Sequence, residues 1–126
     1  KTERLESLTA VLKAPDLLAC MQAADEVGLE PFVEGHSDAE LRTAVRAGAH
    51  VIGINHRDLK TFEVDLAVTE RLRPLIPMDR CVAALSGIHT RADSERMAKA
   101  GVHAILVAEA LITAPDMPTK MRELLI

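Results

Sequence analysis

Aromatic residues are nearly missing from this chain: it has no tryptophan and no tyrosine, and only Phe32 and Phe62 represent the class. Single-stranded nucleic acid is bound on aromatic faces that stack with bases, so that function loses its platform. Excess charge of one sign is missing too. A formal charge of -4 and a pI near 5.7 give no electrostatic reason to expect nucleic acid or an anionic membrane as partner. No apolar run reaches the roughly 18 residues of a membrane span, and the charged start "KTERLES" has no signal-peptide hydrophobic region. The expectation is a cytoplasmic protein with small-molecule or protein partners. Cysteine is scarce: Cys20 and Cys81 lie far apart and outside metal-ligand spacing of any histidine, so both are expected as small buried hydrophobes, with no disulfide and no metal. Glycine-rich dinucleotide and P-loop motifs, the Gly-x-Ser-x-Gly elbow and His-Glu-x-x-His are all absent, which removes the usual sequence support for those chemistries.

What the chain does have is four short apolar runs, "EPFVEGH", "AHVIGINH", "RCVAALSG" and "HAILVAEAL". Each is apolar almost continuously rather than alternating, as expected of strands buried on both faces of a parallel sheet. Helical spacing lies between them. The spacing predicts helices over 15–27 (Leu17, Leu18, Met21 and Ala24 inward), 37–47 (Leu41, Ala44, Val45), 65–75 (Leu66, Thr69, Leu72, Leu75), 90–100 (Met97, Ala100) and 115–125 (Met121, Leu124, Leu125). Ser37 with Glu40 reads as a capping box, Asp65 as an N-cap, Thr90 and Asp93 as a helix opening, and Pro115 as the start of the last helix. Gly28, Gly48 and Gly101 each stand where a helix stops before a strand. The first 14 residues are ambiguous. Leu5, Leu8 and Leu12 fit a helix and Leu8 to Leu12 a short strand, with the helix slightly preferred.

Residues 1–126 therefore read as a single α/β domain in which parallel strands are joined by helical crossovers, either an open doubly wound sheet or a (β/α) barrel. Polar groups at the C-terminal end of every strand favour a TIM-barrel-like arrangement: Glu34 and His36, Asn55 and Arg57, Ser86, then Glu109. Glu34 follows Phe32 and Val33, so its carboxylate is expected to be partly desolvated, the setting a general acid or base needs. Asn55 is read evenly as a ligand hydrogen-bonder or a loop cap, and Arg57 with Asp58 as a loop salt bridge. The five histidines are read as mostly solvated loop residues. "SGIHT", residues 86–90, offers a flexible Gly87 and a helix N-terminus as an anion cradle, or an ordinary capped loop.

In order and spacing, "GLEPFVEGH", "AGAHVIGINHRDLKTFEVDL", "LSGIHT" and "AGVHAILVAEALI" strongly resemble the C-terminal half of indole-3-glycerol phosphate synthase, over roughly residues 15–126. The resemblance implies half of a (β/α)8 barrel. It also implies tryptophan biosynthesis, in which that family closes and decarboxylates a carboxyphenylamino-deoxyribulose phosphate without cofactor or metal. By resemblance, Glu34 is an active-site carboxylate, Asn55 and Arg57 are active-site rim residues, and Ser86 and Gly87 lie beside the substrate phosphate. The chain departs from the family pattern at Leu85, where the family has glutamate, at Ala108 and Ala110, where it has glycine and serine, and at Gly35, usually an apolar residue. The family's catalytic lysines, on its first and third strands, have no counterpart, and Lys13 and Lys60 do not match them.

Three expectations follow. The first is a parallel half-barrel completed by dimerisation into a symmetric homodimer, catalytically inactive alone, with weak affinity for a small phosphorylated ligand at Gly87 and the helix beginning near Thr90. In the second, the chain is part of an active synthase whose N-terminal half is missing. The third is an engineered or drifted scaffold in which Leu85, Ala108 and Ala110 line an apolar binding pocket.

Overall fold

The computed structural model describes residues 5–9, as backbone, and residues 12–126. The strands are β1 (Leu5–Thr9), β2 (Glu30–Gly35), β3 (Val51–Asn55), β4 (Cys81–Leu85) and β5 (Ala104–Leu106). The helices are α1 (Ala14–Glu26), α2 (Asp38–Arg46), α3 (Ala67–Leu72, continuing into a 3₁₀ turn Arg73–Leu75), α4 (Arg91–Lys99), α5 (Glu109–Ile112) and α6 (Met117–Leu124). The strands pair in parallel, side by side in chain order from β1 to β5. An unbroken order with right-handed crossovers puts every connecting helix on one face, whereas a doubly wound sheet reverses its order partway. The fold is thus a TIM-barrel-like half-barrel.

The two sheet faces differ as this arrangement requires. Val33, Ile52, Ile54 and Val82 point to the helical face and are fully buried against Leu17, Leu41, Ala44, Val68 and Leu72. Each such side chain contributes about 1.5–3 kcal/mol of hydrophobic stabilisation. On the concave face, register sets Phe32 beside Val51, Gly53 beside Ala83, and Leu85 beside Leu106. Gly53 and Leu85 are buried there, while Cys81 and Leu106 are exposed because, among the described residues, no second layer covers the flanks.

Helix ends follow local chemistry. Ser37 and Glu40 form the expected capping box, and Thr90 with Asp93 forms a second one. Gly28, Gly48 and Gly101 all have positive φ after their helices. Asp65 caps α3 from one position further back than expected, its Oδ1 accepting from the Ala67 N–H at 2.9 Å.

Several expectations are corrected. Residues 5–9 form a strand rather than the preferred helix. The free edge of β2 offers a row of backbone donors and acceptors, and pairing with it outweighs local helical spacing. The last helix starts at Met117, with Asp116 as N-cap and Pro118 in the first turn, so Pro115 lies outside it. β5 is only three residues long, and the end of the fourth apolar run, from Glu109 on, belongs to the helix Glu109–Ile112. Leu18, Met121 and Leu125 are exposed rather than inward-facing. Cys81 is exposed and Cys20 half-buried, so neither behaves as a core hydrophobe.

Candidate functional site

The C-terminal ends of parallel strands open together, so residues distant in sequence meet there. Glu34, Asn55, Arg57, Ser86 and Gly87 all line one cavity of about 290 Å³, whose opposite wall is Val107 to Ala110. Glu34, Asn55 and Arg57 also border a second cavity of about 580 Å³, completed by His36, Glu40, Asp58 and Lys60. Glu34 is half-buried, and its register partner is Gly53, which has no side chain to compete for the space. A Cβ at Gly53 would come within 2.7 Å of Leu85 Cδ1 and 2.8 Å of Phe32 Cζ, so both side chains close over this glycine.

Asn55 joins two loops. Its Oδ1 accepts from the Arg57 backbone N–H at 3.0 Å and from the Ser86 hydroxyl at 2.9 Å. Both lone pairs of that oxygen are taken, so Asn55 acts as a cap, and it can reach a ligand only through its NH2 group. Arg57 does not pair with Asp58 as expected. Its guanidinium donates to the Phe62 carbonyl at 3.2 Å and lies 3.5 Å from Glu109 Oε2. Asp58 instead accepts from the Lys60 and Thr61 N–H groups, which hold its carboxyl below the usual range, and lies 3.9 Å from His36 Nε2. His36 Nδ1 donates to the Asn55 carbonyl at 2.8 Å.

At the start of α4 the protein itself takes up two N–H groups of the expected anion cradle, those of His89 and Thr90. The Asp93 carboxylate accepts from the His89 and Thr90 N–H groups, and Thr90 Oγ1 accepts from the Asp93 N–H. Burial acts to raise the Asp93 carboxyl, but those hydrogen bonds prevail and hold it below the usual range. Gly87 is not a flexible link either. It sits at φ +69°, and a Cβ there would collide with Val64 Cγ1 and press on Leu66 at 3.2 Å. Residues 57–65 fold back as a strap, with Arg57 bridged to Val64 and Asp58 N–H donating to the Glu63 carbonyl at 2.9 Å; this carries Val64 onto Gly87.

His56 is the residue that sequence reasoning missed. Far from being a solvated loop residue, it is fully buried. Its ring lies 2.7 Å from both the Ser86 carbonyl (Nδ1) and Thr69 Oγ1 (Nε2), and burial pushes its pKa down, favouring the neutral ring. The available signal was alternation: Ile52, Ile54 and His56 share one face of β3 and its extension, the face that helices cover. Among the described residues, no group of three His, Cys, Asp or Glu side chains has the geometry of a metal site, and no helix is long and apolar enough to cross a membrane.

Comparison with known proteins gives a family. The indole-3-glycerol phosphate synthase model matches residues 7–124. An indole-3-glycerol phosphate synthase of Dehalococcoides mccartyi is 47% identical over 118 residues, covering 94% of this chain and 46% of the relative. A multifunctional tryptophan biosynthesis protein of Schizosaccharomyces pombe is 42% identical over 94% of this chain and 16% of its own length. This chain thus spans about half the length, or less, of these relatives. Among solved structures, thiamine phosphate pyrophosphorylase from Pyrococcus furiosus superposes with a TM-score of 0.73 at 21% identity, over 94% of this chain and 55% of that one. The 3-hexulose-6-phosphate synthase of Salmonella typhimurium gives 0.72 at 17% identity, over 95% and 59%. Identities this low speak for the shared fold alone.

Proposed function

Because this chain belongs to the indole-3-glycerol phosphate synthase family, we propose that it carries the phosphate-holding half of a ring-closing, decarboxylating site and has no lyase activity by itself. The observation that carries this reading is the convergence of Glu34, Asn55, Arg57, Ser86 and Gly87 on a single cavity of about 290 Å³. Arg57 supplies positive charge, the Gly87 region supplies backbone N–H groups, and Glu34 supplies a carboxylate able to carry a proton. Ring closure also needs a cation that acts as general acid toward the ketose oxygen. Lys60 borders only the larger cavity, and Leu85 is apolar where the family resemblance implies a carboxylate. Loss of one preorganised group costs on the order of a hundredfold in rate, and several lost together leave no useful turnover.

The exposed flanks of the concave face and the two sheet edges need a cover. We place a second copy there, as a symmetric homodimer of half-barrels. One observation favours a different cover: the chain matches 46% of its Dehalococcoides relative, so the remaining part of such a protein could close the barrel and restore activity. Light scattering across a concentration series, followed by an assay of indole-3-glycerol phosphate formation with and without the N-terminal half of that relative, separates the two. A stable inactive dimer supports the homodimer, and a monodisperse monomer at high concentration removes it. Turnover only after the half is added moves the assignment to the complete barrel. Turnover by the chain alone refutes the predicted inactivity.

A further inference from the structure

Ser86 is held from two sides by consecutive residues of one strand end. Asn55, turned to the concave face, takes the Ser86 hydroxyl at 2.9 Å. His56, turned to the helical face, meets the Ser86 carbonyl through Nδ1 at 2.7 Å, while its own backbone N–H donates to the Leu85 carbonyl at 2.9 Å. A carbonyl only accepts, so Nδ1 carries the hydrogen. Nε2 of the neutral ring is then an acceptor, and Thr69 Oγ1, itself fully buried, donates to it. The tautomer is therefore fixed by its two partners, and with no exposure to solvent the ring has little freedom to turn.

What this ring holds is an unfavourable backbone. Ser86 has φ +69°, a left-handed conformation that a non-glycine residue adopts only when its surroundings enforce it. The peptide joining Ser86 to Gly87 is trans and planar, so its C=O and N–H point in opposite directions. With the Ser86 carbonyl drawn back onto His56, the Gly87 N–H is turned away from the core. Gly87 lines the cavity of about 290 Å³.

We propose that His56 is a positioning residue: through its Nδ1–H it holds the Ser86–Gly87 peptide in the orientation that aims the Gly87 N–H at the site as an anion donor. The positioning stands on the geometry alone, and the anion is the phosphate of the reading given above. His56 touches no ligand. It acts only through Ser86, and burial lowers its pKa, which favours the neutral ring. Asp65 acts to raise that pKa, and Arg96 and His36 act to lower it.

Three variants separate positioning from mere packing. His56→Asn keeps a side-chain N–H where Nδ1 stands and gives up Thr69. His56→Leu removes the donor and keeps the volume apolar. Thr69→Val keeps the ring donor and lowers stability alone. Two NMR readouts apply: the strong intraresidue amide–Hα cross-relaxation of Ser86 that marks positive φ, and the shift of the Gly87 amide on titration with inorganic phosphate. The expected result is a retained Ser86 signature in His56→Asn and Thr69→Val and its loss in His56→Leu. Phosphate affinity should be at least tenfold weaker in His56→Leu and within about threefold of the parent in His56→Asn. The proposal is overturned if His56→Leu keeps both readouts, or if His56→Asn loses them as fully as His56→Leu. If the parent Gly87 amide ignores phosphate, the phosphate reading fails, and the Ser86 signature alone then decides whether His56 positions this peptide.

Discussion

Gly87 should be among the least replaceable glycines of the chain, and Gly28 provides its control. Both have positive φ, +69° and +73°. Their surroundings differ: nothing lies within 4 Å of a Cβ built on Gly28, whereas at Gly87 the same atom collides with Val64 Cγ1 and presses on Leu66. Alanine at Gly28 therefore meets only the left-handed conformational penalty, about 1–2 kcal/mol. Alanine at Gly87 meets that penalty plus overpacking of about 1–3 kcal/mol, so Gly87→Ala should destabilise by about 2–5 kcal/mol. Part of the second contribution is relieved if the strap lifts, because Val64 belongs to a loop and is 39% exposed.

The assay is urea unfolding of Gly28→Ala, Gly87→Ala, Val64→Ala and the Val64→Ala/Gly87→Ala pair. Val64→Ala removes the methyl that the new Cβ would strike, so the pair should recover roughly 1–2 kcal/mol relative to additivity. Equal costs at Gly28 and Gly87, or strict additivity in the pair, would refute the packing argument. Gly87 would then be explained by backbone conformation and any ligand alone. The comparison matters for function because the sequence resemblance assigns Gly87 to phosphate, while the strap gives it a reason to be glycine without any ligand.

Arg73 is 6% exposed and donates to the Gly101 and Ile76 carbonyls, each at 2.8 Å, with Met78 Sδ at 3.6 Å. Arg73→Ala abandons two carbonyls, at about 1–3 kcal/mol for a buried one and less for the part-exposed Gly101, so a loss of about 2–4 kcal/mol is expected in urea unfolding. A loss under about 1 kcal/mol would show that water takes over those carbonyls. For His56, burial lowers the folded pKa below its ordinary 6.5, so the unfolded chain binds more protons between the two values. Stability should accordingly fall as pH drops from about 7 through 6.5 toward the folded pKa, with a slope no steeper than about 1.4 kcal/mol per pH unit for one proton. His56→Asn should flatten this segment, and an unchanged slope in that variant would assign the protons elsewhere.

Much of the fold was legible because its signals are local. The capping box at Ser37–Glu40, the helix opening at Thr90 and Asp93 and the stops at Gly28, Gly48 and Gly101 each depend on a few adjacent residues, and all occur as expected. The missed features depend on partners distant in sequence. Residues 5–9 become a strand only because β2 offers an edge. His56 is buried because the helical cover continues past the end of β3, bringing Thr69 over its ring. Arg57 turns from the adjacent Asp58 to Glu109, more than fifty residues away, because β5 ends beside β3's loop. The convergence of Glu34, Asn55, Arg57 and Ser86 on one cavity was legible as polar groups at strand ends, since parallel strands bring those ends together whatever the loops do. The sharing of Asn55 Oδ1 between Arg57 and Ser86 was not, because it depends on the relative height of two loops.

Leu85 connects the fold to the proposed lack of turnover. In a closed barrel the interior is filled by side chains from all strands. Among the described strands, the centre of the concave face is filled by their own side chains, and Gly53 permits this by letting Phe32 and Leu85 close over it. Leu85 is 4% exposed in that position, whereas Leu106, its register neighbour on β5, is 56% exposed. A carboxylate at position 85, as the family resemblance implies, would have to lie in this apolar closure or turn out of it, and either choice uncovers Gly53 and Phe32. The apolar residue thus stabilises the concave centre at the position where the family resemblance implies a carboxylate. The same residue accounts for the burial of the concave centre and is one ground for the proposal that this chain alone has no turnover.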